Sequence, residues 1–134
     1  RGMIGSRVDH VGMVVDSLET ARPLFEALSG TTASDIVEIP EMGLRLSFVG
    51  GFELMQPTDA ESLVGQFLER HGPSAHHVAF RVPDLPEALD RLKQADVALF
   101  DEVPRMGAQG HRIAFLHPRS TAGTLIEVVE RSDD

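Results

Sequence analysis

Asp9-His10-Val11-Gly12-Met13-Val14-Val15 and His76-His77-Val78-Ala79-Phe80-Arg81-Val82 lie 67 positions apart and align without a gap. Both read as buried strands with β-branched residues, and His10 falls on His77. Carried further, the same shift sets Leu18 on Leu85, Ala21 on Ala88, Gly43 on Gly110, Arg45 on Arg112 and Phe48 on Phe115. An offset that survives from one strand through a helix into later strands marks a structural repeat. Beyond Val49 and Leu116 the second copy carries seven more residues, because Gly50-Gly51 is replaced by the longer region His117 to Thr124 together with Leu125. After it, Phe52-Glu53-Leu54-Met55 falls on Ile126-Glu127-Val128-Val129.

Each copy repeats one order of elements. In the second, Asp84-Leu85-Pro86-Glu87 predicts a helix start, with an Asp cap, Glu three residues on and Pro in the first turn, and the helix runs to about Ala95. In the first, Ser17 is a possible cap, but Pro23 lies past the first turn, which predicts a kink or a later start near Thr20. The remainder of each copy, from Ile36 to Pro57 and from Val97 to Glu130, is strand-like with Gly punctuation. Between the copies, Leu63, Val64, Phe67 and Leu68 stand at helical spacing and predict a linking helix over Ala60 to Arg70, ended by His71-Gly72-Pro73. The class expected is α+β, as one domain over residues 8–130. Module one covers residues 8–58, the linking helix 59–72 and module two 74–130, both modules being β-α-β-β-β.

Two copies side by side can curve their sheets around a shared cleft with equivalent positions facing each other. A His on the first strand and a Glu on the last strand of each copy then bring His10, Glu53, His77 and Glu127 to one centre. Two imidazoles and two carboxylates suit Mn, Fe, Co, Ni or Zn. Taken singly, a strand His is ordinarily a satisfied core residue and a strand Glu ordinarily faces solvent. Jointly, matched positions and apolar flanks (Phe52 and Leu54; Ile126 and Val128) favour the metal, since an unpaired charge there is costly. Strand alternation sends His76 and His77 to opposite faces, and the repeat selects His77, because the counterpart of His76 is Asp9.

Composition narrows the partners. Among 134 residues, 12 Lys and Arg stand against 21 Asp and Glu, and the net charge of −9 argues against nucleic acid and anionic membrane surfaces. With no Cys, thiolate metal sites, disulfides and cysteine nucleophiles are excluded. No apolar run approaches a membrane span, and the segment Arg1 to Arg7 lacks the apolar stretch of a signal peptide, so a cytoplasmic location is expected, with Met3 as the start. Charge is uneven, however. From Val103 to Thr124 there is no acid, while Arg105, His111, Arg112, His117 and Arg119 occur. Arg112 is expected to point away from the face carrying His111, Ile113 and Phe115, which leaves Arg105 and Arg119 as candidates for phosphate or carboxylate contact.

The runs Asp9-His10-Val11-Gly12, Pro40-Glu41-Met42-Gly43, Phe52-Glu53-Leu54-Met55-Gln56-Pro57, His76-His77-Val78-Ala79-Phe80, Pro104-Arg105-Met106-Gly107-Ala108-Gln109-Gly110 and Phe115-Leu116-His117-Pro118-Arg119-Ser120 resemble the methylmalonyl-CoA epimerases. That family lies within the vicinal oxygen chelate, or glyoxalase-like, superfamily, and the resemblance covers about Val8 to Glu130. It implies paired β-α-β-β-β modules, a homodimer, an acyl-CoA substrate and a divalent metal, often cobalt, with Mn, Ni or Zn as alternatives. The ligands it implies map onto His10, Glu53, His77 and Glu127. It further implies proton removal at C2 of methylmalonyl-CoA, a metal-chelated enolate, and reprotonation on the opposite face. Glu127 matches one carboxylate given that role, and Arg105 and Arg119 are placed to meet CoA phosphates. The second base of some members is replaced here by Leu46, which leaves Glu53, a metal-bound water or Glu41, in that order. The Gly50-Gly51 link is shorter than the family pattern. A glyoxalase I-like enzyme acting on a thiol adduct and a non-catalytic small-molecule binder of the same fold are the competing readings.

Overall fold

The computed structural model describes residues 4–121 and 123–132, so the start expected at Met3 and Ala122 of the acid-free stretch lie outside the described residues. The chain divides into two compact units, one of residues 10–76 and one of residues 1–9 with 77–134. The first strand, β1 (Arg7–Val14), contributes its first three residues to the second of these.

In the unit of residues 10–76, helix α1 (Leu18–Ser29) follows β1, then strands β2 (Val37–Ile39), β3 (Leu44–Val49) and β4 (Phe52–Pro57), then helix α2 (Leu63–His71). The strands are ordered β2-β3-β4-β1, antiparallel except for the parallel β4–β1 pair. Residues opposite one another in neighbouring strands share a face. The register Phe48 to Glu53 and Gly12 to Glu53 therefore sets His10, Glu53, Phe48 and Leu46 on one side of the sheet. On that side Val64, Phe67 and Leu68 of α2 pack with Val14, Ile39, Leu44, Leu46 and Met55. Helix α1 lies on the other side, where Leu18, Ala21 and Phe25 meet Val15, Val49 and Leu54.

Helix α1 begins at Leu18, directly after Ser17, whose hydroxyl accepts the Thr20 N–H at 3.2 Å, and Pro23 stands inside it. The late start expected near Thr20 is thus corrected. The first turn is held from outside as well, since Leu18 N–H donates to Gln56 Oε1 at 2.8 Å, and such pinning offsets the one backbone bond that Pro removes. Helix α2 starts three residues later than its apolar spacing predicts, because Ser62 accepts the Gly65 N–H and so caps the helix.

The other unit contains β5 (Ser74–Val82, from His77 onward), helix α3 (Leu85–Gln94), β6 (Arg105–Met106), β7 (Arg112–Phe115) and β8 (Ile126–Glu130), ordered β5-β8-β7-β6. Asp84 caps α3 through the Glu87 N–H at 3.0 Å, as its sequence predicts, and Ala95 ends it. Leu85, Ala88 and Leu89 of α3 pack on Val82, Ala114, Leu116 and Val128. Each large aliphatic side chain removed from water this way contributes about 1.5–3 kcal/mol. Among the described residues, the strand-like stretch from Val97 to Glu130 forms three short strands and a 3-10 turn over Pro118–Ser120. Strand β6 has two residues, and Leu99 makes an isolated bridge to Leu116, with the chain bending at Glu102 and Val103 between them. Both units share one connectivity: helix after first strand, last strand parallel to the first, middle strand antiparallel to the last.

Candidate metal centre

Two His–Glu pairs stand at matched places of the repeat. In residues 10–76, His10 Nε2 is 3.5 Å from Glu53 Oε1, and in the other unit His77 Nε2 is 3.5 Å from Glu127 Oε1. The parallel pairing of first and last strand produces both contacts, with Gly12 opposite Glu53 and Ala79 opposite Glu127. All four residues are buried, His10 and His77 at 6% exposure and Glu53 and Glu127 at 8%. A spacing of 3.5 Å is long for a hydrogen bond. Two donors each about 2.1 Å from one ion, at angles between octahedral and tetrahedral, are about 3.0–3.4 Å apart, so each pair fits two vertices of a metal site.

Each pair is framed by a Phe. The Phe48 ring stands edge-on to His10 at 5.8 Å and 88°, and the Phe115 ring stands edge-on to His77 at 6.4 Å and 87°. Ahead of His10, the Asp9 carboxylate is 4% exposed and receives Arg81 Nε and Nη2 at 2.9 Å, with Arg131 Nε at 3.1 Å. His76 is half-buried and edge-on to Phe67 at 4.8 Å, apart from the His77–Glu127 pair.

The remaining candidates are dispersed. Arg105 Nε donates to Asp101 Oδ2 at 3.2 Å, and its Cζ lies 5.3 Å from the centre of the Phe115 ring. Arg119 is exposed on the 3-10 turn Pro118–Ser120, where its N–H donates to His117 Nδ1 at 3.2 Å. Arg112 points away from Phe115, as expected, and makes two 2.8 Å bonds to Glu130. That contact, with the Leu85 N–H, holds the Glu130 carboxyl below the usual carboxylate range. Leu46 is 1% exposed within the core, and Glu41 is exposed on the turn Pro40–Met42.

Several contributors carry no signal in a local reading. Gln56 and Glu130 accept the first N–H of α1 and α3 respectively, and Ser34 and Asp101 accept the N–H of Phe48 and Phe115. The repeat could have found them, since Ser34 and Asp101 are 67 apart, and Gln56 and Glu130 follow Glu53 and Glu127 by three positions.

The sequence matches the family described as Glyoxalase/Bleomycin resistance protein/Dioxygenase superfamily over residues 9–115. It is 37% identical over 133 residues to the uncharacterized protein YqjC of Bacillus subtilis, covering 96% of this chain and 95% of that protein. It is 32% identical to the mitochondrial methylmalonyl-CoA epimerase of Dictyostelium discoideum, covering 97% of this chain and 82% of that one. Among solved structures, a variant of Streptomyces coelicolor methylmalonyl-CoA epimerase in complex with 2-nitronate-propionyl-CoA superposes with a TM-score of 0.81 at 29% identity, covering 96% of each chain.

Proposed function

Because the chain belongs to the Glyoxalase/Bleomycin resistance protein/Dioxygenase superfamily, we propose that it is a metal-dependent isomerase that interconverts the stereoisomers of methylmalonyl-CoA. The observation that carries this is the twofold His–Glu contact, buried and 3.5 Å long in each repeat. The substrate class is supported by the epimerase name of the Dictyostelium relative and by the acyl-CoA ligand of the Streptomyces structure.

In this reading His10, Glu53, His77 and Glu127 hold one divalent ion, cobalt in keeping with the resemblance, with Mn, Ni and Zn compatible with the same donors. When bound, the ion supplies positive charge that stabilises the enolate as it develops. The chain's own groups do the rest. A carboxylate oxygen of Glu127 takes the C2 proton on one face, and Glu53 returns one on the other, since inversion needs proton exchange on both faces. Leu46 carries no transferable proton, so Glu53 is the second base on the module-one side. Arg105 and Arg119, in the stretch without acids, meet the CoA phosphates. The proposal extends to a homodimer in the cytoplasm. No helix among the described residues is long and apolar enough to cross a membrane.

The test is deuterium uptake at C2 when metal-loaded protein meets a single epimer of methylmalonyl-CoA in D2O. Uptake with conversion to the other epimer is expected. Turnover of the hemithioacetal of methylglyoxal without such uptake would overturn the substrate assignment.

A further inference from the structure

The two Phe residues beside the His–Glu pairs repeat more than their own positions. Phe48 and Phe115 are separated by the same 67 positions as His10 and His77. Phe48 is the cross-strand partner of Glu53, and Phe115 is the cross-strand partner of Glu127. Each ring also stands nearly perpendicular to the imidazole of its own pair, at 88° and 87°. Each Phe is therefore placed beside both members of a candidate ligand pair, next to the Glu by register and edge-on to the His. Both rings are half-buried where the His and Glu are buried, so they form the layer outside the pair.

Each Phe is in turn held by a loop residue at the same repeat position. Phe48 N–H donates to Ser34 Oγ at 2.8 Å, and Ser34 N–H returns a bond to the Phe48 carbonyl at 2.8 Å. Phe115 N–H donates to Asp101 Oδ2 at 2.9 Å, and Asp101 N–H returns a bond to the Phe115 carbonyl at 3.1 Å. The residue types differ while the two-bond geometry is kept. Ser34 is a neutral anchor, tied further to Ser47, whose hydroxyl donates to the Ser34 carbonyl at 2.7 Å. Asp101 is a charged one, and the Arg105 that pairs with it also lies over the Phe115 ring. A surface loop conserving two backbone bonds across a change from Ser to Asp is hard to assign to packing alone.

We propose that Phe48 and Phe115 are positioning residues for the ligand rings of His10 and His77, and that Ser34 and Asp101 lock them in place. A neutral imidazole can rotate about its Cβ–Cγ bond, and a ring set edge-on against it leaves one plane available, with Nε2 directed at the Glu carboxylate. Outer residues that orient metal ligands commonly change affinity tenfold or more when removed. The half-buried rings also keep water off the pairs. This inference rests on the metal reading above and not on the identity of the acyl-CoA.

The experiment titrates Co2+ alone into the full chain and its variants, following both affinity and the visible absorption of the bound ion, which reports ligand geometry. Phe48→Leu and Phe115→Leu are each expected to weaken Co2+ binding about tenfold and to change the spectrum, and Phe115→Tyr, which keeps the ring, restores both. Ser34→Ala and Asp101→Ala are expected to act in the same direction more weakly. Leu variants that fold by circular dichroism yet bind Co2+ with unchanged affinity and spectrum would overturn the proposal. Should a Leu variant not fold, unchanged affinity and spectrum in both Ala variants overturns it equally. A native chain that takes up no Co2+ overturns the metal reading and this inference with it. Loss of epimerase activity alone, with the Co2+ results as expected, strikes only the substrate assignment.

Discussion

Glu53 and Glu127 are unusual carboxylates for their surroundings. Each lies on a strand between apolar neighbours and is 8% exposed, with the Nε2 of a His 3.5 Å from its Oε1. Such burial is tolerated when charge is compensated, and the divalent ion proposed above would do that for both pairs. The proposed mechanism gives the same carboxylates the proton transfer, so Glu127→Gln keeps the shape and removes the base. C2 deuterium uptake in that variant is expected to fall by about 10²–10⁴-fold, measured by NMR with saturating metal. A rate within a fewfold of the parent would exclude Glu127 from the chemistry. His10, His77, Glu53 and Glu127 were legible as a set only through the repeat, because each has an ordinary explanation alone. Asp9 was not legible. Its counterpart is His76, and nothing near it in sequence announces Arg81 and Arg131, which reach it only in the folded chain.

At the scale of elements, local signals did well where caps and turns decide. Asp84 with Pro86 and Glu87 located α3, and the Gly72-Pro73 stop located the end of α2. They failed where a distant residue intervenes. Helix α1 runs through Pro23 because Gln56, 38 residues from Leu18, bonds its first turn. A Pro at the sixth helical position still forfeits a backbone bond, so Pro23→Ala is expected to stabilise the protein by about 1 kcal/mol or more, read as a higher Tm. A lowered Tm would mean that Pro23 acts mainly by restricting the unfolded chain. In module two the same helix-start role falls to Glu130, which also takes Arg112. Its carboxyl titrates below the usual range, chiefly through the Arg112 bond and then the Leu85 N–H. A folded pKa below the unfolded one adds stability that is complete above the ordinary carboxylate pKa and is lost as pH falls through the folded value. Glu130→Gln, which mimics Gln56, is therefore expected to lower Tm at pH 7, by a margin that narrows as the pH falls below the ordinary carboxylate pKa, in thermal melts from pH 7 to pH 3. A difference that persists unchanged to pH 3 would rule out the ionised carboxylate as its source.

For the whole molecule, the doubled β-α-β-β-β pattern was readable because apolar periodicity repeats at one fixed shift, and both units reproduce its connectivity. The net charge of −9 is compatible with the proposed acyl-CoA substrate because acids are absent from Val103 to Thr124, where Arg105 and Arg119 lie. A lone Arg does not announce its partner, and the Asp101 that engages Arg105 became visible only in the structure. Binding of an ion to the folded chain alone adds stability by mass action, about 2.7 kcal/mol at a hundredfold excess over Kd. Chelation should accordingly lower Tm, and Co2+ or Mn2+ should restore it, in a differential scanning experiment. The central claim is that the repeat brings two His–Glu pairs to a single ion. Anomalous diffraction at the transition-metal absorption edges, on crystals of protein never exposed to chelator, tests it most directly. The account predicts one ion per chain bound by His10, Glu53, His77 and Glu127, and an ion held by other protein ligands, or two separate ions with one pair each, would contradict it.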